Sequence, residues 1–226
     1  MPYLFIFVLI LLCVYAPGFW TKHILQKYNR DEYFSGTGYD LARLLLADYN
    51  LPHVKVEETT MGDHYDPVAK TVRLNTDTCK KKSLTAIVTA AHEVGHAVQD
   101  AINYPPLKIR TGFVGFARTA EKIGMGLIIG VPFVTMLTRV PAAGLLTLTG
   151  GFAALVLPVI VHLITLPVEF DASFNKAMKF LETGKYVPEE TLPAARRILL
   201  ACALTYVAAA LTGLLNIWRW LRILRR

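Results

Sequence analysis

His92-Glu93-Val94-Gly95-His96 puts two imidazoles and a carboxylate into an H-E-x-x-H pattern. On a helix, histidines four residues apart lie one turn from each other on the same face, so both rings can reach one metal ion. Two neutral imidazoles suit zinc, and a hydrolytic zinc site keeps one coordination position open for water. Glu93 then stands beside that water as a general base. The chemistry expected of this stretch is hydrolysis with one Zn2+ ion as the cofactor. The plain alternative is a pair of histidines on an amphipathic helix with no metal between them.

A zinc site of this kind needs a third protein ligand. Position 99 is Gln and position 102 is Ile, so the nearby third histidine of an H-E-x-x-H-x-x-G-x-x-H extension is absent. A carboxylate further along the chain remains. Leu166-Pro167-Val168-Glu169-Phe170-Asp171-Ala172-Ser173 directly follows a long apolar run. A carboxylate pair at a membrane boundary is costly unless it has a partner. Glu169 and Asp171 are two residues apart and cannot share one helical face. One of them is expected to be the ligand, and the other to brace a histidine or cap a helix. The competing reading is an acidic pair that complements the dipole of a helix from Ala172 to Thr183. Asp63, His64 and Asp66 read as a polar turn bordering the cleft rather than a second metal site. His64 and Tyr65 are candidates for holding a developing oxyanion.

The elements that must position these residues are legible between residues 22 and 111. Ser35-Gly36-Thr37-Gly38 signals a loop before a helix at about Tyr39 to Asp48, with Leu41, Leu44, Leu45 and Tyr49 on one face. Val54 to Glu57 and Thr71 to Asn75 alternate and read as strands, separated by the turn-rich segment from Gly62 to Pro67. Ser83 is a plausible N-cap for a long helix to about Ile102. Its small and apolar residues Ala86, Ile87, Ala90, Ala91, Val94 and Ala97 mark it as buried, which suits a dry and rigid metal site. Strands followed by a motif-bearing helix match the zincin arrangement, in which an edge strand can pair with an extended substrate.

Composition sets these elements beside a membrane. The chain has 226 residues, 54% hydrophobic and only 18% charged, with a positive mean hydropathy. That balance excludes an ordinary soluble domain and points to a membrane protein. The net charge of +7 fits anionic lipid better than nucleic acid, because no zinc ribbon, helicase or basic-aromatic motif accompanies it. Cys13, Cys79 and Cys202 lack C-x-x-C spacing and read as unpaired. Four stretches approach the roughly 20 apolar residues of a crossing helix. Residues 1–21 carry no charge and lack the marks of a removable signal peptide, so they read as an anchor. Residues 112–168 hold two crossings, the second interrupted by Pro158, and Gly126 with Gly130 form a candidate close-packing face. Residues 198–226 hold a crossing and a basic tail that can lie in the interface. With four crossings, the scaffold at 22–111 and the segment at 169–197 fall on one side of the bilayer. The basic flanks of that side favour the cytoplasmic face of the plasma membrane.

On these residues the chain resembles the YugP-like family of membrane zinc metallopeptidases. The resemblance covers most of the chain. It rests on Asp63 to Pro67, Val72-Arg73-Leu74, Ala90 to Gln99 and Leu166 to Ser173, whose combination is far more specific than H-E-x-x-H alone. It extends distantly to the HtpX and CAAX prenyl proteases, whose third ligand is a glutamate in an E-F-x-A-D pattern. Laid on this chain, that glutamate falls on Glu169 and the alanine on Ala172, while the final aspartate falls on Ser173. The resemblance therefore implies Glu169 as the third ligand, with Asp171 able to stand in as the brace. The expected fold is α+β, mainly helical, a zincin-like metallopeptidase domain fused to about four transmembrane helices. The expected function is a membrane-embedded zinc endopeptidase with His92, His96 and Glu169 as ligands and Glu93 as base. Its partners would be the lipid bilayer and a peptide or membrane-protein substrate. The alternative is a non-catalytic, zinc-containing membrane scaffold or chaperone-like protein.

Overall fold

The computed structural model describes residues 2–30 and 35–224, and the side chains of residues 1–11, 13, 14 and 214–226 lie outside the described set. The chain divides into two compact units, residues 1–108 with 166–205, and residues 109–165 with 206–226.

The first unit carries the motif. Helix α1 (Pro2–Lys27) leads into α2 (Gly38–Asp48), then strands β1 (Lys55–Thr59), β2 (His64–Asp66) and β3 (Thr71–Asn75), the short α3 (Thr76–Lys80) and α4 (Leu84–Ala101). Helix α2 begins at a capping box in which the Thr37 hydroxyl accepts from the Asp40 amide and the Asp40 carboxylate accepts from Thr37. Its buried face is Gly38, Leu41, Ala42, Leu45 and Leu46, whereas the expected face members Leu44 and Tyr49 are exposed. The docked face is thus turned by about one residue, and Gly38 explains why. A methyl group at Gly38 would meet the Thr78 carbonyl oxygen, so the helix lies with its glycine pressed on backbone.

The sheet order is β1-β3-β2, with β1 parallel and β2 antiparallel to the central β3. Val72 and Leu74 of β3 are fully buried, as alternation requires of the core face. The segment expected to be a turn contains strand β2. Its turn chemistry survives at both ends: Gly62 has φ +89°, and Asp66 Oδ1 accepts from the amides of Val68 and Ala69 to close the β2–β3 turn.

Helix α4 starts at Ser83, whose hydroxyl accepts from the Ala86 amide, and every residue from Leu84 to Gln99 is buried. The end of α1 completes this cap. The Tyr28 carbonyl accepts from the Thr85 amide at 3.2 Å, and the Leu25 carbonyl from the Thr85 hydroxyl at 2.9 Å.

Helix α5 (Pro105–Thr138) and α6 (Pro141–Phe170) follow. Helix α6 runs on through Pro158 and continues without a break as a π-helix, Asp171–Ala177, and then α7 (Met178–Thr183). No helix begins at Ala172. Phe170 is itself helical at φ −65°, ψ −40°, so Glu169 and Asp171 do not sit at a helix N-terminus, and the dipole reading of that pair fails. The last helix is α8 (Leu192–Leu224).

Among the described residues, three helices are long and apolar enough to cross a membrane: Pro105–Thr138, Pro141–Thr183 and Glu189–Gly213. The expected number was about four. Of the additional anchor expected at residues 1–21, the part from Pro2 is helical within α1, and most of its side chains lie outside the described set. The basic tail likewise lies outside it. Within the second unit the expected glycine face is not packed among the described residues, where nothing lies within 4 Å of a methyl group built on Gly126 or Gly130. The close crossing of α5 and α6 uses Gly124 and Gly151 instead. A methyl on Gly124 would come 2.8 Å from the Gly151 carbonyl oxygen, and one on Gly151 would come 2.7 Å from an Ile128 carbon.

Candidate metal centre

His92, Glu93 and His96 lie on α4 and Glu169 on the last turn of α6, and all four are buried. The two helices meet because position 95 has no side chain. A methyl group on Gly95 would stand 2.9 Å from the Ala172 carbonyl oxygen and 3.4 Å from its Cα, so the π-helix lies directly on α4. That approach brings the Glu169 carboxylate between the two imidazoles. Its Oε2 is 3.2 Å from His92 Nε2 and 3.4 Å from His96 Nε2, and the rings stand edge to face at 4.8 Å.

His92, His96 and Glu169 form a group that could hold a metal ion, with one ligand atom from each within 4.8 Å of the others. The donor set fits zinc. Ligands about 2.0–2.1 Å from a tetrahedral zinc are about 3.3 Å from each other, close to the two nitrogen-to-oxygen separations.

The remaining ring nitrogens are each held. His92 Nδ1 lies 3.2 Å from the Ser173 hydroxyl, which donates to the Leu199 carbonyl at 3.2 Å. With its hydrogen spent on Leu199, the serine oxygen accepts from His92 Nδ1–H. His96 Nδ1 lies 3.0 Å from Gln99 Oε1. The Gln99 amide nitrogen donates to the Val168 carbonyl at 2.9 Å and to Asp171 Oδ2 at 2.8 Å. In neutral rings, a hydrogen on each Nδ1 leaves both Nε2 lone pairs on the Glu169 side, the arrangement by which a neighbour orients a histidine for a metal.

Asp171 thus touches neither histidine. It accepts from Gln99 and from Asn175 Nδ2, with Lys176 Nζ at 3.8 Å. Ser173, the departure from the E-F-x-A-D pattern, takes up the bracing of His92 directly. Gln99 and Ser173 were both passed over in the sequence. Gln99 lies three residues after His96 on the same helical face, a spacing that could have flagged it.

His64 and Tyr65 are committed elsewhere. His64 Nδ1 donates to the Gly62 carbonyl at 2.8 Å. Tyr65 donates its hydroxyl hydrogen to Asp100 Oδ2 at 2.6 Å, and Lys70 Nζ reaches the same oxygen at 2.5 Å. Burial, together with this bond to Asp100, pushes the Tyr65 hydroxyl far above its ordinary value and keeps it protonated. Its role in this geometry is to tie β2 to the end of α4. Asp63 accepts from both the backbone and the side-chain amide of Asn75, and burial pushes its carboxyl up against these bonds. Asp66 is held below the ordinary carboxylate range, first by the Ala69 amide and then by Arg73, whose Nη1 lies 2.6 Å away. Asp63, His64 and Asp66 therefore spend their polar atoms on turns and strand ends. Cys79 and Cys202 are free thiols.

The chain belongs to the zinc metallopeptidase family described as "Putative neutral zinc metallopeptidase", whose pattern matches residues 3–225. A relative from Bacillus subtilis (strain 168), named "Putative membrane protease YugP", is 33% identical over an alignment covering 96% of each chain. No solved structure matches this chain.

Proposed function

We propose that this chain is a membrane-embedded zinc endopeptidase in which His92, His96 and Glu169 hold one zinc ion and Glu93 is the general base. The buried triangle of two Nε2 atoms and one carboxylate oxygen carries this reading, because its spacing suits a tetrahedral ion and its histidines have their other nitrogens engaged. Zinc bound there supplies Lewis-acid polarisation of the scissile carbonyl and makes water acidic enough to lose a proton near neutral pH. Glu93, next to His92 on the same buried helix, takes the proton from water and passes it to the leaving amine. Ser173 and Gln99 hold the imidazoles in one tautomer throughout. The β2 edge, fastened to α4 through Tyr65 and Asp100, offers backbone groups to an extended peptide.

Crossings by α5 and α6 return the chain to the side from which it entered, so the histidines and the segment behind Glu169 need no membrane between them. Lys22, Lys27, Arg30, Lys108, Arg110, Lys176, Lys179, Arg196 and Arg197 flank that side, against Arg139 between α5 and α6 and Arg219, Arg222, Arg225 and Arg226 beyond the last crossing. This asymmetry supports a cytoplasmic catalytic face in the plasma membrane. Substrates are then peptides or membrane-protein segments exposed at that surface.

The test is Glu93→Gln in the full chain. Zinc content by elemental analysis should match the wild type, while cleavage of unfolded membrane-protein fragments falls about 10²- to 10⁴-fold. Undiminished cleavage by the purified variant would remove the role given to Glu93.

A further inference from the structure

We infer that Gln99 is a positioning residue that couples the two halves of the metal centre, fixing the tautomer of His96 and the reach of Glu169 through a single side chain. This rests on the reading of His92, His96 and Glu169 as zinc ligands.

The argument begins with the amide. Gln99 is 0% exposed, and three groups surround its polar end: His96 Nδ1, the Val168 carbonyl and the Asp171 carboxylate. A carbonyl and a carboxylate can only accept, so the NH₂ group must face them and both its hydrogens are used. The amide oxygen is then left facing His96. An oxygen that only accepts requires His96 Nδ1 to carry a hydrogen, so in the neutral ring Nε2 is the nitrogen left with its lone pair for a metal. The orientation of one amide thus selects the tautomer of one neutral imidazole.

The same two donors grip the chain on both sides of Glu169. Val168 is the residue before it and Asp171 is two residues after it. The grip spans the change from α6 to the π-helix, where an altered winding would move the carboxylate. Gln99 belongs to α4, three residues after His96, so the brace runs from the histidine helix to the glutamate helix without an intermediary. Asp171 is the far end of this brace. Its other oxygen is held by Asn175 at 2.9 Å, which steadies the acceptor Gln99 needs. A carboxylate here acts on a histidine through an amide.

Two sets of variants in the full chain, purified in detergent, test this by zinc affinity from chelator competition and by the cobalt-substituted absorption spectrum. Wild type should bind one zinc, and His92→Ala should lose it; if wild type binds none, the ligand assignment itself falls. Given binding, Gln99→Leu, similar in size but unable to hydrogen-bond, should weaken zinc about 10- to 100-fold and shift the cobalt spectrum. Gln99→Glu sets two carboxylates face to face and should weaken it comparably. Adding Asp171→Asn to Gln99→Glu restores a donor opposite the introduced carboxylate, which still accepts from His96, and should recover most of the affinity. Should Gln99→Leu fail to fold, the Gln99→Glu pair decides alone. Wild-type zinc affinity in Gln99→Leu, or a double variant no better than Gln99→Glu, would overturn the inference while leaving the ligands in place.

Discussion

Two helix crossings in this molecule are made by the same device and put to different uses. At one, Gly95 of α4 lies on the Ala172 backbone of the π-helix; at the other, Gly124 of α5 and Gly151 of α6 face each other. Both remove side chains so that backbones can touch. Around Gly95, however, the crossing holds His92, Glu93, His96, Gln99, Glu169 and Ser173, all buried. Around Gly124 and Gly151 the neighbours are Ile128, Ala154 and Leu155, none of which has a titratable or metal-binding side chain. Close approach makes a site only where the helices also bring groups that answer one another's hydrogen bonds and charges.

The comparison can be broken at either crossing. The largest effect is expected from His92→Ala, which deletes a proposed ligand. Zinc measured by elemental analysis should fall from one ion per chain to near none, and an unchanged content would separate the histidine pair from the metal. Gly95→Ala comes next. The new methyl meets backbone, which cannot rotate away, so stability should drop by about 1–3 kcal/mol. Zinc should weaken with it as Glu169 is pushed back, and titration against a chelator reads both out. Gly124→Ala meets the Gly151 carbonyl and should lower stability by a similar amount, read by thermal melting, while leaving zinc affinity as it was. A loss of zinc in Gly124→Ala would erase the distinction between the crossings. Gly126→Ala meets nothing among the described residues and sits in a helix, so it should stabilise by up to about 1 kcal/mol.

The smallest effect belongs to the sheet. The Asp66 carboxyl is held below its ordinary value, so its contribution is complete above the ordinary carboxylate range and is lost as pH falls through the depressed value. Thermal melting should therefore show an acid-side loss that is smaller in Asp66→Asn. The group is partly exposed and paired with Arg73, so the difference should stay within about 1 kcal/mol.

How far the sequence could be read follows the same division. Helix α4, its Ser83 cap and the placing of His92, Glu93 and His96 on it were legible, because they depend on local spacing and a local cap. Strand β3 was read with its observed bounds, since alternation over Thr71 to Asn75 is a local signal too. What escaped depends on the partner. Helical period shows that Gly126 and Gly130 share a face, but not that α6 meets α5 at Gly124. The leucine spacing of α2 showed an apolar stripe, but Gly38 against Thr78 decided how that stripe is turned. The π-winding after Phe170 has no period of its own, so Asp171 and Ser173 could not be assigned to their partners in advance. Gln99 looked like the absence of a histidine; only the packed structure puts it between His96 and Asp171.

The most direct test of the metal centre is X-ray absorption at the zinc edge of the purified full chain. Two imidazole nitrogens and one or two further nitrogen or oxygen neighbours at about 2.0–2.1 Å, losing one oxygen in Glu169→Ala, is the predicted result. A shell containing sulfur at about 2.3 Å, or one untouched by Glu169→Ala, would contradict it.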